Sequence, residues 1–139
     1  MPTTTATITL SSDDLLSDVL SLSTTCTLTK TTTSTGIEDT TGLNRKKITS
    51  TAKWTASGQI TLYTADDFAA IPYLYIKNLD TTAGNKIFVY DDTTSGDPLQ
   101  FQLDANDWAF IPMHGDKTYK AYATTNPTSI EFMVIGKDQ

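Results

Sequence analysis

The chain has one cysteine and one histidine in 139 residues, few basic side chains, and no aromatic residue before Trp54. Each shortage excludes something. A lone Cys26 cannot close an internal disulfide, and no Cys-x-x-Cys or Cys/His grouping is present to hold zinc. Ten basic residues against sixteen acidic ones give a net charge of −6, a balance that opposes nucleic-acid binding, because phosphates need a basic face. The opening Met-Pro-Thr-Thr-Thr has neither a basic nor an apolar leader region, and no stretch is apolar for long enough to span a bilayer. No membrane partner is therefore expected, and synthesis in a cytoplasm is. Hydrophobic residues make up only 38% of the chain, less than globular proteins usually carry, so stability must come from efficient packing or from assembly.

What the chain has in excess is threonine: 28 residues, 17 of them before Lys53. The two halves differ in charge as well. Residues 1–52 carry four basic and five acidic side chains (−1), and residues 53–139 carry six and eleven (−5). In the first half, Thr3 to Leu10 alternates threonine with Ala6, Ile8 and Leu10, the period of a strand with one apolar face. Ser11-Ser12-Asp13-Asp14 followed by Leu15, Leu16, Val19 and Leu20 reads as a capped short helix over about residues 12–21. From Ser23 to Ser50 the apolar residues thin out to Leu28, Ile37, Leu43 and Ile48 plus Cys26. That is too little apolar area to offset an ordering cost of ~1–2 kcal/mol per residue, so this segment is expected to order only on another surface. Fully extended, about 25 residues reach ~80 Å, far enough to embrace a neighbour.

From Ala52 onward the pattern changes to short apolar runs punctuated by turn residues such as Ser57-Gly58, Ala83-Gly84-Asn85, Asp104-Ala105-Asn106-Asp107 and His114-Gly115-Asp116. The fold class that follows is all-β: an antiparallel β-sandwich or jelly-roll-like domain of about eight strands, spanning residues 49–139. A threonine-rich arm with one short helix, residues 1–48, precedes it. Strands are expected near 49–55, 59–64, 73–79, 86–90, 99–103, 108–112, 118–124 and 129–135. Those at 86–90 and 129–135 read as central, and Trp108-Ala-Phe-Ile-Pro112, apolar throughout, reads as covered on both faces.

No motif carries catalysis. His114 lies in a turn, no Gly-x-Ser-x-Gly elbow is present, and Cys26 sits in the arm. The aspartates at 91, 92, 97, 104, 107 and 116 populate turns without the ligand spacing of a calcium loop; they read as solvated, and no metal or cofactor is expected. Trp54, Tyr63, Tyr73, Tyr75, Tyr90, Trp108, Tyr119 and Tyr122 are enough for a sugar-stacking platform of an adhesin, though such residues more often fill a core or a subunit interface. The candidates for subunit contact are Leu15, Leu16, Val19, Leu20 and Leu28, whose apolar side chains need a partner face, and the only basic run, Arg45-Lys46-Lys47.

The string from Leu15 to Lys30, the string Thr35-Gly-Ile-Glu-Asp-Thr-Thr-Gly-Leu-Asn-Arg-Lys-Lys47, and the short runs Tyr75-Ile-Lys-Asn78 and Asp107-Trp-Ala-Phe-Ile-Pro112 resemble small virion structural proteins of tailed bacteriophages, especially those of marine bacteria. The resemblance implies a non-enzymatic capsid decoration or cement protein, or a small neck, tail or fibre component, located in a virion assembled in the host cytoplasm. It implies the major capsid protein or other virion proteins as partners, and a homo-oligomer, with a trimer favoured.

Overall fold

The computed structural model describes residues 3–12, 20–29, 39–51, 57–68, 72–92, 99–125 and 127–136. Among them all regular structure is β, and every strand pair is antiparallel. The strands are β1 (Thr3–Ser12), β2 (Leu20–Thr29), β3 (Asp39–Thr40), β4 (Asn44–Ile48), β5 (Ile60–Tyr63), β6 (Tyr73–Asn78), β7 (Ile87–Asp91), β8 (Leu99–Leu103), β9 (Trp108–Pro112), β10 (Tyr119–Ala123) and β11 (Thr128–Gly136).

β1 and β2 form a two-stranded ribbon that is hydrogen-bonded to no other strand among the described residues. The remaining strands make two sheets. One runs β5-β10-β7-β8; in the other, β11 pairs with β6 on one side and with both β3 and β4 on the other, and β9 lies outside β6. From β4 to β11 every connection passes from one sheet to the other except that between β7 and β8, which are neighbours. As expected, the runs near 86–90 and 129–135 became interior strands.

Alternation explains the layering. Along β6, Leu74, Ile76 and Asn78 are buried while Tyr73, Tyr75 and Lys77 are half-buried, so one row faces inward and the other outward. The inward rows meet in a single core that takes Ile48, Leu74, Ile76, Ile130, Phe132 and Val134 from the five-stranded sheet and Ile60, Leu62, Ile87, Val89, Leu103 and Ala121 from the four-stranded one. This shared core between two antiparallel sheets is the arrangement of a β-sandwich. Asn78 is also fully buried. Its Nδ2 donates to the carbonyls of Asn85 at 2.9 Å and Asp104 at 3.0 Å, and its Oδ1 accepts from the Asp80 amide at 3.0 Å. One side chain thus ties the end of β6 to two loops.

Three expectations are corrected. The helix over 12–21 is absent where the chain is described: Ser12 closes β1, and Leu20 and Ser21 open β2. Residues 13–19, with Leu15, Leu16 and Val19, lie outside the described residues. The short leucine run matched helical spacing, but Leu20 and Leu22 also alternate with Ser21 and Ser23, and pairing with β1 satisfies that period. Residues 39–48, read as the end of the arm, supply two strands that pair with β11; the polar run Asn44-Arg-Lys-Lys-Ile48 holds an edge position where only Ile48 is buried. The third correction concerns β9, which is open on its outer face: Trp108 is 53% exposed.

Candidate functional site

Two surfaces stand out, and both arise from strand alternation. In the ribbon, the register pairs Thr3, Thr5, Thr7, Thr9 and Ser11 with Thr29, Thr27, Thr25, Ser23 and Ser21. Each of these register positions is a threonine or serine, and the Thr7 and Thr25 hydroxyls are hydrogen-bonded at 3.2 Å. The intervening positions pair Ala6 with Cys26, Ile8 with Thr24, Leu10 with Leu22, and Thr4 with Leu28, and Leu20 stands opposite Ser12. None of the twenty strand residues is charged. Leu10 and Leu22 are 52% and 48% exposed. An isolated two-stranded ribbon is only marginally stable in water.

The second surface is the outer face of the five-stranded sheet. Register lines up Arg45, Glu131, Lys77 and Trp108 as one row across β4, β11, β6 and β9. A second row is Met133, Tyr75 and Phe110, and a third is Ile135, Tyr73 and Pro112. The Tyr73 and Phe110 rings stack 5.6 Å apart. Glu131 is nearly buried although it faces outward. Its Oε2 accepts from Arg45 Nε at 2.6 Å and its Oε1 accepts from the Tyr75 hydroxyl at 3.1 Å. The Arg45 hydrogen bond, helped by Tyr75 and by the charges of Arg45 and Lys77, holds the Glu131 carboxyl below its usual range despite desolvation. Desolvation first, and then the same carboxylate, push the Tyr75 hydroxyl upward.

The basic run is split by the same alternation. Arg45 and Lys47, opposite Glu131 and Ser129, lie on the outer face. Lys46 instead places its Nζ 5.8 Å from the Phe132 ring centroid, at the mouth of an open recess of about 290 Å³ that also involves Asn44, Tyr63 and Asp67. Leu20 and Leu28 are paired with Ser12 and Thr4 in the ribbon's register, far in sequence from Arg45-Lys46-Lys47. Of the eight tyrosine and tryptophan candidates, Tyr73, Tyr75 and Trp108 share the outer face, Tyr63 and Tyr119 are core residues, and Tyr122 stacks on Phe88 at 4.9 Å on the other sheet. Tyr90 is fully buried, with its hydroxyl donating to Gln59 at 2.8 Å, and Trp54 lies outside the described residues.

Among the described turn aspartates, Asp91 is buried and not, as expected, solvated, with Lys117 Nζ 3.8 Å from its Oδ2; Lys120 pairs with Asp92 and Lys86 with Asp104, and Asp97 lies outside the described residues. Asp67 and Asp107 each accept from the backbone amide three residues earlier, at Thr64 and Asp104, with Asp66 and Asn106 in the left-handed conformation between them. His114 Nδ1 lies 2.5 Å from Asp116 Oδ1 in an exposed turn. Phe110 and Glu131 escaped sequence reasoning. The signal for them was the alternation of Tyr73, Tyr75 and Lys77 with Leu74 and Ile76, which marks β6 as a strand with an aromatic outer row. Comparison of the chain with protein-family models, with curated proteins and with solved structures finds no match.

Proposed function

We propose that this protein is a non-enzymatic virion structural component, a decoration or cement protein that clamps the major capsid protein lattice of a tailed bacteriophage. The observation that carries the reading is the uncharged ribbon with half-exposed leucines, whose strands pair with none of the described strands of the well-packed body. Covering the exposed remainder of Leu10 and Leu22 on a partner would contribute about 1 kcal/mol each, and several copies in a symmetric cluster, a trimer being the favoured form, would multiply weak contacts into firm attachment. The strand orders β4-β11-β6-β9 and β5-β10-β7-β8 support reading the sandwich as a jelly roll, an architecture of viral capsid and lectin domains. That last support is an analogy of fold.

Mechanically the protein would act without chemistry. Apolar area and backbone hydrogen bonds added across a subunit boundary raise the free energy needed to separate neighbours. Removal of residues 1–29 should abolish binding to purified capsids while the body retains its thermal transition. Full occupancy by the truncated protein would refute the proposal. A neck, tail or fibre location is the second reading within the same class, and copy number per virion separates it from the capsid surface.

A further inference from the structure

The outer face of the five-stranded sheet is not accounted for by arm-mediated attachment. We propose that it is a binding platform for an acidic polysaccharide chain.

The face combines two features that such a ligand needs. Tyr73, Tyr75, Phe110 and Trp108 supply aromatic surface, and Trp108, at 53% exposure, offers the most of it to solvent. The ring faces suit the apolar C–H faces of sugars. Among the described residues of this face, Arg45, Lys47 and Lys77 set three cations against one acid, Glu131, with which Arg45 pairs, whereas the whole chain carries −6. The cations are therefore concentrated against the trend of the molecule, and they complement a ligand bearing spaced carboxylates. With neighbouring strands ~4.8 Å apart, the row from Arg45 to Trp108 extends about 14 Å, an open track for a chain and not a pocket for a single sugar.

A dry protein interface fits less well. It would have to bury the Arg45–Glu131 pair and Lys77 at its centre, and each desolvated charge costs several kcal/mol where interface cores are normally depleted of charge. Single-stranded nucleic acid has a comparable spacing of charge, and an oligothymidylate gel separates it from a polyuronate. Sugar hydroxyls can accept hydrogen bonds from the exposed Arg45 guanidinium, while Glu131 and Tyr75 remain engaged with each other and with Arg45.

The test is affinity electrophoresis of the full chain in gels containing polygalacturonate, neutral dextran or oligothymidylate. Retardation by polygalacturonate alone, weakened by salt, is the expected result. Trp108→Ala should bind about tenfold or more weakly, and Lys77→Gln should lose affinity for polygalacturonate with a shallower salt dependence. Both positions face solvent, and an unchanged melting transition verifies folding of each variant. The proposal is overturned by retardation in none of the gels, by equal retardation in dextran, by preference for oligothymidylate, or by a folded Trp108→Ala protein that binds normally. Capsid occupancy is a separate measurement, so either reading can fail without the other.

Discussion

Asn78→Asp changes almost no volume and therefore isolates the polar logic of the buried Asn78. The substitution replaces an amide that donates at 2.9 and 3.0 Å to the carbonyls of Asn85 and Asp104 with an oxygen facing two oxygens. The bond accepted from the Asp80 amide can persist. Two lost hydrogen bonds amount to about 2–3 kcal/mol, and confining a carboxyl group in a fully buried site with the Asp80 amide as its donor adds a further ~1–2 kcal/mol. The expected loss is about 4 kcal/mol, a large share of the ~5–15 kcal/mol that holds a domain together. At roughly 3 °C per kcal/mol for a chain of this size, the melting midpoint should fall by about 12 °C. Urea denaturation followed by tryptophan fluorescence measures the loss, and the slope should stay unchanged. Burial would raise the folded-state pKa of the new carboxyl. Its penalty is therefore complete above that pKa and shrinks as pH falls toward about 4, so the gap from the wild type should narrow in acid. A variant within ~0.5 kcal/mol of the wild type near pH 7, or a gap that does not narrow in acid, would refute the role assigned to this side chain.

Gly136→Ala would place a Cβ 2.5 Å from Cγ of Phe68, which stacks on Tyr63; a loss of about 1–3 kcal/mol in thermal unfolding is expected. Gly58→Ala should cost at least ~2 kcal/mol, because φ is +88° and the new Cβ would lie 2.8 Å from the backbone carbon of Thr49; an unchanged midpoint would count against both accounts. Glu131, with its pKa held down chiefly by Arg45, stabilises the fold above its ordinary value of 4.5 and loses that contribution as pH falls through the lower folded value. Glu131→Gln should accordingly be less stable at neutral pH and lack this part of the acid-side decline in a pH series of denaturation midpoints. Tyr63, Tyr75 and Tyr119 have raised pKa values, chiefly because burial disfavours the phenolate. Their contribution is complete below the ordinary value of 10.0 and disappears as pH climbs through the raised values. Ultraviolet titration should show these phenolates forming late and together with loss of β circular dichroism; full ionisation of a still-folded protein would contradict this.

The body was readable because its strands announce themselves twice, by alternation and by the turns between them. Ile87–Asp91, Leu99–Leu103 and Trp108–Pro112 fall almost where Gly84, Gly96 and Asn106 bracket them. The ribbon's second strand was harder to read. Leu20 belongs both to a helical run with Leu16 and to an alternating run with Leu22, and only the register with β1 decides between them. β4 was hidden for a different reason: Asn44-Arg-Lys-Lys-Ile48 is too polar to look like a strand, and its stability derives from β11 across many intervening residues. The outer-face site was half legible. Tyr73, Tyr75 and Trp108 could be named as aromatics, but bringing Arg45 to Glu131 required knowing that β4 lies against β11.

The position of β11 also constrains the order in which the body can be made. β3 and β4 precede it by roughly eighty residues or more, yet among the described residues both find their hydrogen-bonded partner only there, and β6 lies on its opposite side. A nascent chain must therefore carry these strands unpaired along β11 until Thr128–Gly136 emerges from the ribosome. Such long-range closure favours slow folding and leaves strand edges open during synthesis. In that interval, the charge of Arg45, Lys46 and Lys47 on β4 would act as a gatekeeper, discouraging the waiting edge from pairing with another unfinished chain.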